Sequence, residues 1–165
     1  MCIRDSFNKE SEAKKAIEED QKRFSDVKEK LPNLSGKTGI VSQFAQGSFG
    51  AVADPEDPGA SFIYDLGMKF PDKLTDGSVP VDKGRVTLSP ENVSYLAADF
   101  MVIYNRDGSI EEFENIPGYK DLPQVKSDAT LAGDSAIVAG LNNPTSLSRA
   151  WVLDKTMPTL EKVGK

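Results

Sequence analysis

Apolar residues recur at steps of three and four over residues 8–31, and this period predicts a long amphipathic helix. The apolar positions are Ala13, Ala16, Ile17, Phe24, Val27 and Leu31. The other face carries Lys, Glu, Asp and Gln side chains, which we interpret as solvated. Pro32 is expected to end the helix, because the residue before a proline avoids the helical conformation.

Beyond Gly36, short apolar runs alternate with helical patterns, and this order predicts a parallel sheet with helices on both faces. The expected strands are 38–44 and 100–104, with weaker ones near Thr130 and at 136–138; the expected helices are 57–67, 90–97, a short one from Ser109 through Phe113, and 145–161. The segments 45–50 and 70–84 are expected to be a polar loop and an irregular connection.

Local signals define several helix ends. Asp57 and Ser89 each precede a proline, which predicts an N-cap followed by proline at the first helical position. Gly67 is expected just past the end of the helix that Asp57 begins. Ser109 and Glu112 form a capping-box pattern. In the last helix, Leu147 and Trp151 are four residues apart and are expected to share the inner face.

Composition limits the possible chemistry. The 165-residue chain is long enough for one domain, is 38% hydrophobic, and contains no apolar tract of membrane-spanning length. A net charge of −6 argues against a nucleic-acid partner. The chain has no histidine, which excludes Ser-His-Asp and Cys-His catalysis and any histidine-containing metal site. Cys2 is the only cysteine, so no disulfide forms within the chain.

The first residues do not resemble a signal peptide, because they lack an apolar core. We interpret residues 1–6 as a non-native N-terminal scar and expect the chain to start within a longer protein. Residues 7–35 are then an amphipathic helix, and residues 36–165 are the folded lobe.

Two features of the sequence give weak catalytic signals. Gly47 and Gly50 follow the first strand, but neither dinucleotide nor P-loop spacing is present, so a loop of unusual backbone angles is the better interpretation. Acidic residues cluster at 54–57 and at 111–114, where helix capping and solvation explain them. No catalytic or metal-binding residue is therefore predicted.

Polar and aromatic residues at the strand ends give a stronger signal, because ligands of open α/β sheets bind beyond the carboxyl ends of the strands. The candidate ligand-binding residues are Gln43, Phe44, Gln46, Phe49, Tyr104, Asn105, Arg106, Asn142 and Asn143. Aromatic rings, amides and one guanidinium suit an anionic, partly apolar organic ligand. The alternative is that Phe44 and Tyr104 belong to the core and the others form turns.

From about residue 10 onward the chain resembles the C-terminal lobe of a class III substrate-binding protein, of the kind that serves iron-siderophore and cobalamin ABC importers. The segments that carry the resemblance are 13–31, 36–41, 60–68, 89–104, 118–126, 144–146 and 151–154. Tyr119 stands where the family pattern has tryptophan. The order and spacing of these segments carry the resemblance.

The resemblance implies an α/β, Rossmann-like three-layer lobe with a mostly parallel central sheet, preceded by the long helix. It implies a monomer outside the cytoplasm, periplasmic or a surface lipoprotein, that captures a ferric siderophore between two lobes and delivers it to an ABC permease. Glu91 is then the permease-docking residue, and no cofactor is needed. The absence of histidine favours a ligand that brings its own iron. The alternative is a small doubly wound α/β enzyme or nucleotide-binding domain.

Overall fold

The computed structural model describes residues 9–164, so the predicted scar at 1–6 lies outside the described residues. The helices are α1 (Glu10–Lys30), α2 (Ser61–Asp65), α3 (Asp72–Thr75), α4 (Ile110–Glu114), α5 (Pro123–Lys126), α6 (Ser135–Asn142) and α7 (Ser146–Leu160). The strands are β1 (Gly39–Ala45), β2 (Ser48–Val52), β3 (Val81–Asp82), β4 (Arg85–Leu88), β5 (Phe100–Asn105) and β6 (Thr130–Ala132). Short 3₁₀ helices cover Pro32–Leu34, Pro58–Ala60, Pro90–Leu96 and Tyr119–Asp121.

The strands form one mixed sheet in the order β3-β4-β2-β1-β5-β6. β1, β5 and β6 are parallel to one another, and β2 joins β1 as an antiparallel hairpin. β4 pairs antiparallel with β2 and therefore runs in the same direction as β1. The predicted α/β lobe is confirmed, and the antiparallel strands extend its parallel part.

Alternation along β5 places apolar side chains on both faces of the sheet. Phe100 and Val102 belong to one core cluster, together with α1, α2, α6 and α7. Met101 and Ile103 belong to the cluster on the other face, which α4 and the 3₁₀ helices Pro90–Leu96 and Tyr119–Asp121 cover. Burial on both faces explains why β5 reads as a continuous apolar run, as central parallel strands do.

Helix α1 packs on the lobe mainly through its C-terminal half. Phe24 is its buried residue, and its ring meets that of Phe62 edge-on at 5.6 Å. Ile17, predicted on the apolar face, is 47% exposed. Asp20 departs from the prediction that the charged face is solvated, because it forms a buried ion pair with Arg149 of α7.

Two predictions about the last helices are wrong. Residues 136–138 belong to helix α6, because the Asp134 carboxylate caps it by accepting from two backbone N–H groups. Leu147 and Trp151 lie on the outer face of α7 and are 85% and 39% exposed. The inner face instead carries Val152 and Leu153, which enter the core, while the predicted N-terminus is confirmed by the Thr145 capping box.

Three other predictions also differ in detail. The segment predicted as a polar loop contains strand β2 after a tight turn. Residues 90–96 form a 3₁₀ helix interrupted at Asn92, and Ser89 makes no capping bond but donates its hydroxyl to Glu91 at 3.1 Å. Ser109 likewise makes no side-chain cap, so the predicted capping box does not form. The Asp57 cap is present, and Gly67 follows α2 at φ +78° as predicted.

Two polar side chains, one buried and one partly exposed, hold neighbouring segments in place. Gln124 is fully buried; its amide accepts from the Ala98 N–H at 3.1 Å and donates to the Leu96 carbonyl at 2.7 Å. Asp99 accepts from the N–H and hydroxyl of Thr38, each at 2.8 Å, and so joins the starts of β1 and β5. Burial opposes ionisation of Asp99, but these bonds and the Lys37 ammonium outweigh it and lower the pKa of the carboxyl.

Candidate ligand-binding site

The carboxyl ends of β1 and β5 meet at one edge of the sheet, as the sequence predicts. Phe44 pairs with Asn105 in the parallel register, and the Arg106 N–H donates to the Phe44 carbonyl at 2.9 Å. Gln46 and Gly47 have φ values of +51° and +73°, which form the two-residue turn that starts β2. The unusual loop angles predicted here are therefore those of a β-hairpin.

A direct hydrogen bond joins the two turns at this edge. The Asp107 carboxylate accepts from the backbone N–H of Gln46 at 2.8 Å. The buried Asn105 amide accepts from the N–H groups of Asp107 and Gly108 at 3.1 Å and donates to the carbonyl of Ser109. Asn105 thus fixes the turn that follows β5, and this turn carries Arg106.

Two adjoining cavities form a groove from this edge across one face of β1, β2 and β4. The outer compartment, about 360 Å³, is lined by Gln43, Gln46, Arg106 and Asp107 among others. The inner compartment, about 280 Å³, reaches Lys83, Arg85 and Asn142. Both share three lining residues, namely Gln43, Gly50 and Thr87.

Gly50 makes room for the groove on the face of β2. A Cβ atom at this position would lie 3.4 Å from the Cγ atom of Gln43, whose side chain crosses the strand there. The paired residue on β4, Thr87, is exposed in the groove. A glycine between two polar side chains therefore leaves a shallow floor with hydrogen-bonding groups on both sides.

Five of the predicted ligand-binding residues line the groove. Gln43, Gln46, Phe49 and Arg106 line the outer compartment, and Asn142 lines the inner one. The Arg106 guanidinium makes no hydrogen bond or ion pair within residues 9–164, and this leaves it available to a ligand.

The side chains of the predicted aromatic residues and of Asn143 are placed differently. Phe44 and Phe49 are 7% and 0% exposed and pack together at a ring distance of 4.9 Å, so both belong to the core beneath the groove. Tyr104 is half-buried on β5, whereas Asn143 lies outside the groove beside Trp151. The alternative interpretation therefore holds for two residues: Phe44 belongs to the core, and Asn105 forms the turn after β5.

A further cationic residue was missed. Arg85 donates from Nη2 to the Asn142 side-chain oxygen at 2.8 Å and from Nε to Asp57 at 3.3 Å. A signal was available, since residues 85–88 alternate polar and apolar between Gly84 and Pro90, which is typical of a strand. Its pairing with β2 shows that this segment is a strand of the sheet.

The groove is lined by more cationic than anionic side chains, whereas the chain as a whole is acidic. Three cationic side chains and two carboxylates line it, although the net charge of the chain is −6. Within residues 9–164, no three His, Cys, Asp or Glu side chains group into a metal site, and no helix is both long and apolar enough to cross a membrane. The arrangement suits recognition of an anionic organic molecule.

Glu91 lies near the same edge of the sheet. β4 ends at Leu88, which pairs with Phe49, and Phe49 in turn pairs with Phe44 of β1. The 3₁₀ helix that carries Glu91 therefore starts where the groove opens. The Glu91 side chain is exposed and accepts a hydrogen bond from Ser89.

No protein-family model and no curated protein matches this chain. Solved structures, by contrast, match this chain in fold. The iron uptake ABC transporter substrate-binding protein PiaA of Streptococcus pneumoniae TIGR4 aligns with a TM-score of 0.69 and 22% identity, over 97% of this chain and 56% of its own. SirA of Staphylococcus aureus gives 0.76 and 18%, over 99% and 63%.

A third structure is FeuA of Bacillus subtilis, a triscatecholate siderophore binding protein solved with ferri-bacillibactin. It aligns with a TM-score of 0.72 and 22% identity, over 94% of this chain and 55% of its own. The chain thus has the fold that these binding proteins share over little more than half of their length. The fold predicted from the family resemblance is confirmed.

Proposed function

We propose that this chain is the C-terminal lobe of an extracytoplasmic substrate-binding protein that captures a ferric siderophore for an ABC importer. The observation that carries the proposal is the position of the groove. It lies at the carboxyl edge of the parallel strands, on a fold shared with siderophore-binding proteins, and is lined by amides and a guanidinium with no partner.

The chain spans 56% of the length of PiaA, and the groove is open. We therefore propose that a second lobe closes over it in the protein to which this chain belongs. PiaA has also been solved with ferrichrome, a ligand whose iron is held by the chelator itself. A chelate of this kind fits a groove that offers hydrogen-bond donors and, within residues 9–164, no metal-binding cluster.

The competing interpretation was a small enzyme or nucleotide-binding domain. Gly47 and Gly50 belong to a hairpin turn and strand β2, so they do not form a phosphate-binding loop at a helix N-terminus. Asp54 and Asp57 accept backbone bonds in their own turns. These contacts account for Gly47, Gly50, Asp54 and Asp57 without a catalytic role.

The ligand proposal is tested at Arg106, on the two-lobed protein. Arg106→Ala is expected to weaken binding of an anionic ferric chelate by about 1.5–3 kcal/mol, the scale of a charge-assisted hydrogen bond. Quenching of protein fluorescence by the chelate measures the affinity. The matched control is Arg23→Ala, which removes an exposed arginine of α1 that lines neither compartment. Unchanged affinity in the Arg106 variant would contradict the assignment.

We also propose that Glu91 docks the lobe onto the permease. An exposed first-turn carboxylate stabilises its own helix by only about 0.3–1 kcal/mol, so this local role predicts normal transport by Glu91→Gln. Docking predicts normal folding and ligand affinity but sharply reduced uptake of the labelled chelate in cells. Glu111→Gln, another exposed first-turn glutamate, is the control. Full uptake by Glu91→Gln would exclude the docking role.

A further inference from the structure

Arg85 is held in the inner compartment by residues from two other segments. Its Nη2 atom lies 2.8 Å from the Asn142 oxygen, at the C-terminal end of α6. Its Nε atom lies 3.3 Å from a carboxylate oxygen of Asp57. Asp57 is itself fixed, because it accepts from the Gly59 N–H at 2.7 Å and caps the following 3₁₀ helix.

The guanidinium is only partly used by these contacts. Asp57 is 11% exposed and Arg85 is 38% exposed, so the carboxylate is inside while the cation reaches the groove. Nε and Nη2 face Asp57 and Asn142, whereas Nη1 donates to no other group within residues 9–164. One edge of the planar cation therefore stays available beside Lys83, Gln43 and Thr87.

The two arginines of the groove differ in how they are held. Arg106 is exposed at the rim and has no side-chain partner, so a ligand must immobilise it. Arg85 is already fixed, and a fixed planar donor loses less conformational entropy when an oxyanion binds. Of the two guanidinium groups, Arg85 is thus better placed to select for ligand charge.

We propose that Arg85 is a specificity-determining residue of the groove, which binds an oxyanion of the ligand (a carboxylate or catecholate) through Nη1, with Asp57 and Asn142 as its positioning residues. This inference rests on the proposed ligand-binding function. It adds that the lobe prefers an anionic chelate to a neutral one of similar size.

The test uses the ¹⁵N-labelled two-lobed protein and two diamagnetic probes, the trianionic gallium complex of a hexadentate tris-catecholate and neutral gallium ferrichrome. Titration is followed on the backbone amides of the groove and on the Arg85 Nε–Hε signal. We expect the tris-catecholate to shift the Arg85 signal. Arg85→Gln should lower the affinity for the tris-catecholate about tenfold, equivalent to ~1.4 kcal/mol. The affinity for gallium ferrichrome should fall by less than about threefold.

Two further variants keep the test decisive. Arg85→Lys retains the charge beside Asp57, so it guards against misfolding, and it should lose part of the tris-catecholate affinity because the fork is gone. Arg23→Gln is the control for loss of an exposed charge. If the tris-catecholate shifts the groove amides but neither the Arg85 signal nor the Arg85→Gln affinity changes, the inference is wrong while the proposed function stands. If neither probe shifts the groove, both are overturned.

Discussion

The ion pair that joins α1 to the lobe gives the sharpest test of what stabilises the fold. Arg149 is 9% exposed; its Nε donates to Asp20 at 2.9 Å, Nη1 to Ser61 at 2.8 Å and Nη2 to Asp65 at 2.6 Å. Its guanidinium also stacks 4.2 Å from the centre of the Phe24 ring. One side chain therefore connects α7 with both α1 and α2.

The cost of removing Arg149 follows from the partners left behind. Asp65 is half-exposed, so water can hydrate its carboxylate after Arg149 is removed. Loss of the Arg149–Asp65 ion pair therefore costs little stability. Asp20 is 13% exposed, and its second carboxylate oxygen already lacks a partner among residues 9–164. Leaving such a charge unpaired costs about 3–5 kcal/mol. Arg149→Met keeps most of the packing and should lower the free energy of unfolding by about that amount.

Urea unfolding followed by far-UV circular dichroism measures this loss. The double variant Arg149→Met with Asp20→Leu is the matched control, because it removes the stranded charge as well. Replacing a buried ion pair by apolar residues is often neutral, so the double variant should return to within about 1 kcal/mol of the wild type. If Arg149→Met alone costs less than about 1 kcal/mol, or the double variant is no more stable than the single one, the reasoning fails.

Three further changes test individual side chains. The lowered pKa of Asp99 adds stability that is complete above the ordinary value of 3.8 and is lost as the pH falls below it, so acid titration should destabilise the wild type more than Asp99→Asn. An equal acid loss in both would refute this. Gln124→Leu leaves two buried backbone groups unpaired and should cost about 2–4 kcal/mol in urea unfolding; a loss under about 1 kcal/mol would show that water replaces the amide. Asn105→Ala should broaden the backbone NMR signal of Arg106, whereas an unchanged signal would mean that the turn holds without the amide.

Sequence patterns predicted most elements whose signals are local. The period of α1, the apolar run of β5 and the Thr145 cap depend on neighbours within a few residues, so they can be found without knowing the fold. Local signals failed where two conformations compete. Residues 136–138 form a short apolar run that suits a strand or a helix, and the Asp134 cap decides for the helix.

The same difference applies to the residues of the candidate site: some could be predicted from the sequence and others could not. Gln43, Gln46 and Arg106 were predicted because parallel strands must end at one edge, which is a rule of topology. Phe49 was assigned to a loop, yet it is buried because β2 pairs with strands on both sides.

The sequence alone predicts the α/β fold class, the carboxyl ends of β1 and β5, and three residues at the groove rim, Gln43, Gln46 and Arg106. The partners of Arg85 and Arg149 follow only from the tertiary structure, because they lie 28 to 129 residues away along the chain. Charge pairs at such separations follow from how helices pack on the sheet, and no local pattern along the chain records that packing.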